Sequence, residues 1–145
     1  RSTLFPYTTL FRSQPLYTDI GLRNARLNYR QYDPGHIMEN IIYNELVKRG
    51  YSVDVGVVND RSAKRNVHRE IDFVVNDADR KIYVQSAVRM DTEAKASAEL
   101  RPLLLTKDFF KKITIRMDIP HNYYDNNGIF HCNLIDFLLG RVDLF

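Results

Sequence analysis

The sequence has no tryptophan and a single cysteine, Cys132. A lone cysteine excludes an internal disulfide framework and fits a reducing compartment. Nowhere does an apolar run approach the roughly 20 residues of a membrane-spanning helix. Nor does an apolar stretch followed by small residues mark a secretory signal. A soluble, cytoplasmic protein without a membrane partner is therefore expected. No G-x-x-x-x-G-K-[ST] loop occurs, which excludes ATP binding by the P-loop route within these residues. His36, His68, His121 and His131 lack zinc-ligand spacing, so no metal site is expected from them. The net charge of +3 is too small to imply a nucleic-acid partner by itself.

What is present suffices for a core. Hydrophobic residues make up 44% and aromatic residues 12% of the chain, which argues against global disorder. The opening stretch RSTLFPYTTLFRS stands apart. Pro6 and the threonines defeat a helix, and a mid-run proline without alternation defeats a strand. From Thr3 to Ser13 it resembles the translation of a common sequencing adapter. Residues 1–13 are thus expected to be an artefactual, disordered segment, and 14–145 one domain of ordinary size. The frame is expected to be cut at its upstream edge, leaving the tail of a longer protein.

Along that domain, Asp19 is placed to cap a short helix carrying Ile20, Leu22 and Leu27. DPGHIMENIIYNELVKRG predicts the clearest helix. Pro34 suits its first turn, Met38, Ile41, Ile42 and Leu46 form a stripe, Lys48 and Arg49 end it, and Gly50 follows. YSVDVGVV, VHREIDFVV and KIYVQSAV predict three strands. DTEAKASAELRPLLL predicts a helix starting at Asp91 and bent at Pro102, and KKITIRM a further strand. YYDNNGIFHCNLIDFLL predicts a hairpin around Asn127-Gly128 running into a last short helix. This order predicts an α/β fold, a three-layer α/β/α sandwich around a central mixed sheet, with the strand after the second long helix returning parallel to its partner.

A helix with an embedded glutamate, a strand ending in REIDFVV and a strand reading KIYVQSA together resemble the PD-(D/E)xK, or restriction-endonuclease-like, superfamily. More narrowly, DIGLRNARL, MENIIYNELVKRGYSVDVG, EIDFVV, ELRPLLL, FKKITI and GIFHCNLIDFLL resemble the C-terminal domain of uncharacterised function that follows the P-loop domain in prokaryotic AAA-type ATPases. The resemblance spans Tyr17 to Leu139. It implies a restriction-endonuclease-like fold and a partner in a missing N-terminal ATPase domain, where ATP and magnesium would bind; this fragment itself is expected to hold no cofactor.

The superfamily's chemistry requires an acid at the Asp72 position and Glu-x-Lys on the next strand. Residues two apart share a strand face, so acid and lysine would meet one metal-bound phosphate. Here the second strand carries Gln85 and Ala87. The spacing is kept and the chemistry is not. Glu39, Asp72, Gln85 and Ala87 are accordingly read as vestigial positions of a non-catalytic accessory domain, an interaction surface for the ATPase or another protein. Without a site, Asp72 would pair with a nearby arginine and Glu39 would sit at the rim of the apolar stripe. The enzymatic alternative is a metal-dependent nuclease recruiting Glu70 or Lys81. A third reading is DNA binding without cleavage through Arg61, Lys64, Arg65 and Arg69, with His68 beside them, although a charge run between strands is commonly just solvated. His131 and Cys132 are strand neighbours facing opposite ways, which argues against a Cys–His dyad.

Overall fold

The computed structural model describes residues 33–61 and 67–145. Residues 1–13, the expected helix at Asp19, Lys64 and Arg65 lie outside the described residues. Helix α1 runs Pro34–Lys48. Its start is encoded locally: the Asp33 carboxylate accepts the Gly35 N–H at 2.8 Å, and Pro34 occupies the first turn where its missing N–H costs nothing. Gly50, at φ 88°, lets the chain turn out of the helix. Met38, Ile42 and Leu46 are buried at helical spacing. The stripe differs from expectation at Ile41, which is only half-buried, whereas Asn40 is buried.

Three strands follow, β1 (Ser52–Asp60), β2 (Val67–Asp77) and β3 (Arg80–Ala87), forming an antiparallel meander. Helix α2 (Glu93–Leu105) then carries the chain to β4 (Lys111–Arg116), which pairs parallel to β3 as expected. Its N-cap is Thr92, whose hydroxyl accepts the Lys95 N–H at 3.2 Å. This corrects the expected start at Asp91: Thr92 has the extended backbone a cap needs. The helix continues through Pro102 to Leu105. Two-residue β5 (Tyr123–Tyr124) and β6 (Phe130–Asn133) form the expected hairpin, and α3 (Leu134–Leu138) follows. The described residues thus form a mixed α/β fold with a six-stranded sheet in the order β1-β2-β3-β4-β6-β5.

Two apolar cores flank this sheet's residues. The larger joins Met38, Ile42 and Leu46 of α1 to Phe73, Val75, Ile82, Val84, Ile113, Ile115, Cys132 and Phe137. The smaller joins Leu103 of α2 to Ile71 and Ile129, with Tyr83, Val58 and Leu100 against it. Along β3, Ile82 and Val84 serve the first and Tyr83 the second, as the two-residue strand period requires.

One irregularity positions the candidate site. Asp54 pairs with Val74 but Gly56 with Ile71, so β2 carries one residue more than β1 across this step, a bulge. The extra residue re-aims what lies before it: Phe73 and Val75 belong to the larger core, yet Ile71 belongs to the smaller. Asp72 sits within the step. Gly56 is required opposite, because a Cβ there would meet Val74 Cγ2 at 2.9 Å and Ile71 Cβ at 3.0 Å.

Candidate functional site

Within the bulge, the main-chain N–H of Asp72 donates to the Gln85 side-chain carbonyl at 3.4 Å. The Asp72 carboxylate turns to the next residue of β3: its Oδ2 accepts the Ser86 N–H at 2.8 Å and the Ser86 hydroxyl at 2.7 Å. Asp72 and Gln85 are therefore brought together as the sequence implied. Ala87 lies buried two residues further along β3. Glu39, half-buried on α1, has its Oε2 3.8 Å from His36 Nδ1. Ser86 thus supplies Asp72 with a main-chain and a hydroxyl donor from one position. Lys81, four residues from Gln85 on β3, stands roughly 13 Å away along the strand and lies over the Phe110 ring at 5.2 Å.

The sequence did not single out Glu99 on α2. Burial pushes its carboxyl above the ordinary value, and the negative charge of Asp72 adds to the shift. A raised folded-state pKa means the folded protein binds a proton more readily than the unfolded chain. Glu99 thus favours folding below its ordinary value of 4.5, and that contribution is lost as pH rises through the raised value. Glu99→Gln is expected to flatten this part of the stability-against-pH curve and to leave the protein at least as stable at neutral pH. Urea melts from about pH 4 to 8 check it; a variant less stable than the parent at pH 7 would show that the Glu99 charge is instead compensated.

The basic stretch divides. Arg61 is exposed, but Arg69 is committed to structure: its Nε lies 2.7 Å from Asp60 Oδ2. Asp60 is wholly buried, and Arg101 of α2 also grips both its carboxylate oxygens, with Nη2 to Oδ1 at 3.0 Å. Arg69, expected at a nucleic-acid patch, thus serves Asp60 as well, since a buried carboxylate demands counter-charge.

A second polar cluster, also missed from sequence, lies where β4 and β6 end. Arg116 is buried and forms a two-pronged pair with Asp118, Nε to Oδ1 at 2.8 Å and Nη2 to Oδ2 at 2.7 Å. The Arg116 hydrogen bond holds the Asp118 carboxyl down at about 2. Arg116 Nη1 also reaches the Tyr123 hydroxyl at 3.1 Å. Tyr123 stacks on His131 with ring centroids 4.6 Å apart. His131 Nδ1 meets the Thr114 hydroxyl at 2.7 Å, and Nε2 lies 3.4 Å from Asp125 Oδ2. Burial lowers the His131 pKa against the pull of Asp125, so the ring is neutral at pH 7. Its strand neighbour Cys132 is buried in the larger core with its thiol pushed up to about 11 by burial, which leaves it a poor nucleophile. His131 and Cys132 therefore face apart, as expected. Among the described residues no group of three or more His, Cys, Asp or Glu side chains is arranged to hold a metal ion, and no helix is long and apolar enough to cross a membrane.

An uncharacterised protein of Haemophilus influenzae is 35% identical over 124 residues, covering 83% of this chain and 27% of the relative. The chain therefore spans about a quarter of that curated relative's length. No solved structure matches it significantly. The family model described as domain of unknown function DUF4143 matches residues 34–131, from the first turn of α1 to His131 in β6, and the chain belongs to that family.

Proposed function

We propose that this chain is a non-catalytic accessory domain with a restriction-endonuclease-like, three-layer α/β/α arrangement, working as an interaction surface in a longer AAA-type ATPase. The observation that carries the non-catalytic part is how the would-be ligands are spent. Gln85 gives its carbonyl to the Asp72 main chain, and Asp72 gives its carboxylate to Ser86. Magnesium is dehydrated reluctantly and needs hard, charged oxygen ligands. A neutral amide does not supply that charge. A glutamate at position 85 would add a further negative charge beside Asp72 and Glu99; the amide keeps the hydrogen bond and omits the charge. Ala87 supplies no donor for a developing phosphorane, and losing one such electrostatic group typically costs about a hundred- to a thousandfold in rate. The longer relative supports a fragment reading by its length alone; the ATPase partner rests on the sequence resemblance.

The test incubates the purified chain with supercoiled plasmid and magnesium or manganese. No cleavage above a buffer control is expected. The Gln85→Glu/Ala87→Lys double variant runs beside it to ask whether the scaffold still holds nuclease geometry. Metal-dependent cleavage by the parent, abolished in Asp72→Ala, would overturn the non-catalytic reading and establish the nuclease.

A further inference from the structure

A cleft of about 590 Å³ opens beyond the C-terminal end of α2, lined by β1 from Gly56 to Asn59 and by Arg61, Lys81, Tyr83, Lys107 and Asp108 among others. Its size suits a small-molecule ligand. Glu39, Asp72, Gln85 and Ala87 do not line it, although Ile71, the neighbour of Asp72, does.

Its charge is unbalanced. Arg61, Lys81 and Lys107 all line it, and among the described residues none of the three forms an ion pair. Its acid, Asp108, is already engaged: Oδ2 accepts the Tyr83 hydroxyl at 2.6 Å. Burial, with Asp108 beside it, pushes the Tyr83 pKa up to about 12, so tyrosine stays the donor at any physiological pH. The other oxygen, Oδ1, is buried and takes no hydrogen bond, so Asp108 offers the cleft no free carboxylate oxygen to balance its cations. An aromatic pair lies beside one of the cations, Lys81. Phe110 lies under Lys81 and 6.3 Å from the Tyr83 ring, and Phe109 is fully exposed next to Asp108.

We propose that this cleft binds a nucleotide unit, its phosphate held by Arg61, Lys81 and Lys107 and its base stacked against the Tyr83 and Phe110 rings. The unit is a free nucleotide or one link of a single strand. Cations interleaved with aromatic faces are what phosphate-and-base recognition uses. An acidic peptide would satisfy the cations but make no use of the rings, and so is the less favoured occupant.

The experiment measures binding of a fluorescent single-stranded oligonucleotide to the full chain at about 50 mM salt, where phosphate contacts are strong. The parent is compared with Lys81→Glu/Lys107→Glu and with Lys48→Glu/Arg89→Glu, a control of equal charge change away from the cleft; circular dichroism and thermal melts verify that all three fold. The cleft variant is expected to bind at least about tenfold more weakly and with a flatter salt dependence, and the control within about twofold. Competition by ATP or GTP at millimolar concentration would place a free nucleotide in the cleft; resistance to it would make the strand the ligand. Absence of binding by the parent to both oligonucleotide and free nucleotides, an equal loss in the control, or displacement by poly-glutamate of matched charge would overturn the proposal.

Discussion

Phe137→Ala is expected to destabilise the fold by about 3–5 kcal/mol, the usual cost of truncating a fully buried aromatic ring. The ring is wholly buried in the larger core, where it meets residues of α1, β4 and β6. It is also gripped from α1: the Arg49 guanidinium carbon lies 4.6 Å above the ring centroid, and Arg49 donates to the Phe137 carbonyl. Truncation therefore opens a cavity and removes a cation–π contact at the same spot. The midpoint of thermal unfolding should fall by roughly 10–20 °C, with Phe137→Leu intermediate because it refills part of the volume. A loss below about 1 kcal/mol in denaturant unfolding would mean that the site collapses without penalty.

The second large effect is expected at Asp118. Arg116 is a buried cation whose guanidinium is neutralised on two oxygens by Asp118, which also accepts the Met90 N–H at 2.8 Å. Asp118→Ala leaves that cation in a site built for a pair. Removing one partner of a buried pair commonly costs about 3–5 kcal/mol, and we expect the lower end, about 3 kcal/mol, because the carboxylate side of the pair is more open to water. The pH dependence follows from the sign of the shift. The folded-state value of about 2 lies below the ordinary 3.8. The stabilising contribution is thus present above the ordinary value and fades as pH falls through about 2. Acid unfolding of the parent should show a component in that range that Asp118→Ala lacks; identical acid profiles would remove the pair from the stability account.

These residues also show what was legible in the sequence. Helix α1 could be read because its signals are local, with Asp33, Pro34 and Gly50 each acting within a few residues. The strands could be read from their composition, the parallel return from the helix between β3 and β4, and the hairpin from Asn127-Gly128. What could not be read was made by partners distant in the chain. The Arg116 cluster draws on β4, the loop after it, β5, the turn and β6, and no spacing rule joins them. Arg69 looked like surface charge because Asp60 gives no sign of complete burial until Arg101 of α2 closes over it. Asp72 could be singled out on its strand, but its environment depends on a one-residue bulge that a hydrophobic pattern does not encode, and on Glu99 of α2.

The order of strands across the sheet has a consequence for how the chain assembles. β1, β2 and β3 are neighbours in both sequence and space, so their pairing closes only short loops. The pairing of β3 with β4 must instead span all of α2, and loop-closure entropy grows with the length spanned. Within this α2 crossover lie both Arg101, which covers Asp60, and Leu103, which fills the smaller core. The entropic cost of the longest strand-to-strand connection among these pairings is thus offset by the same helix that neutralises the sheet's buried acid.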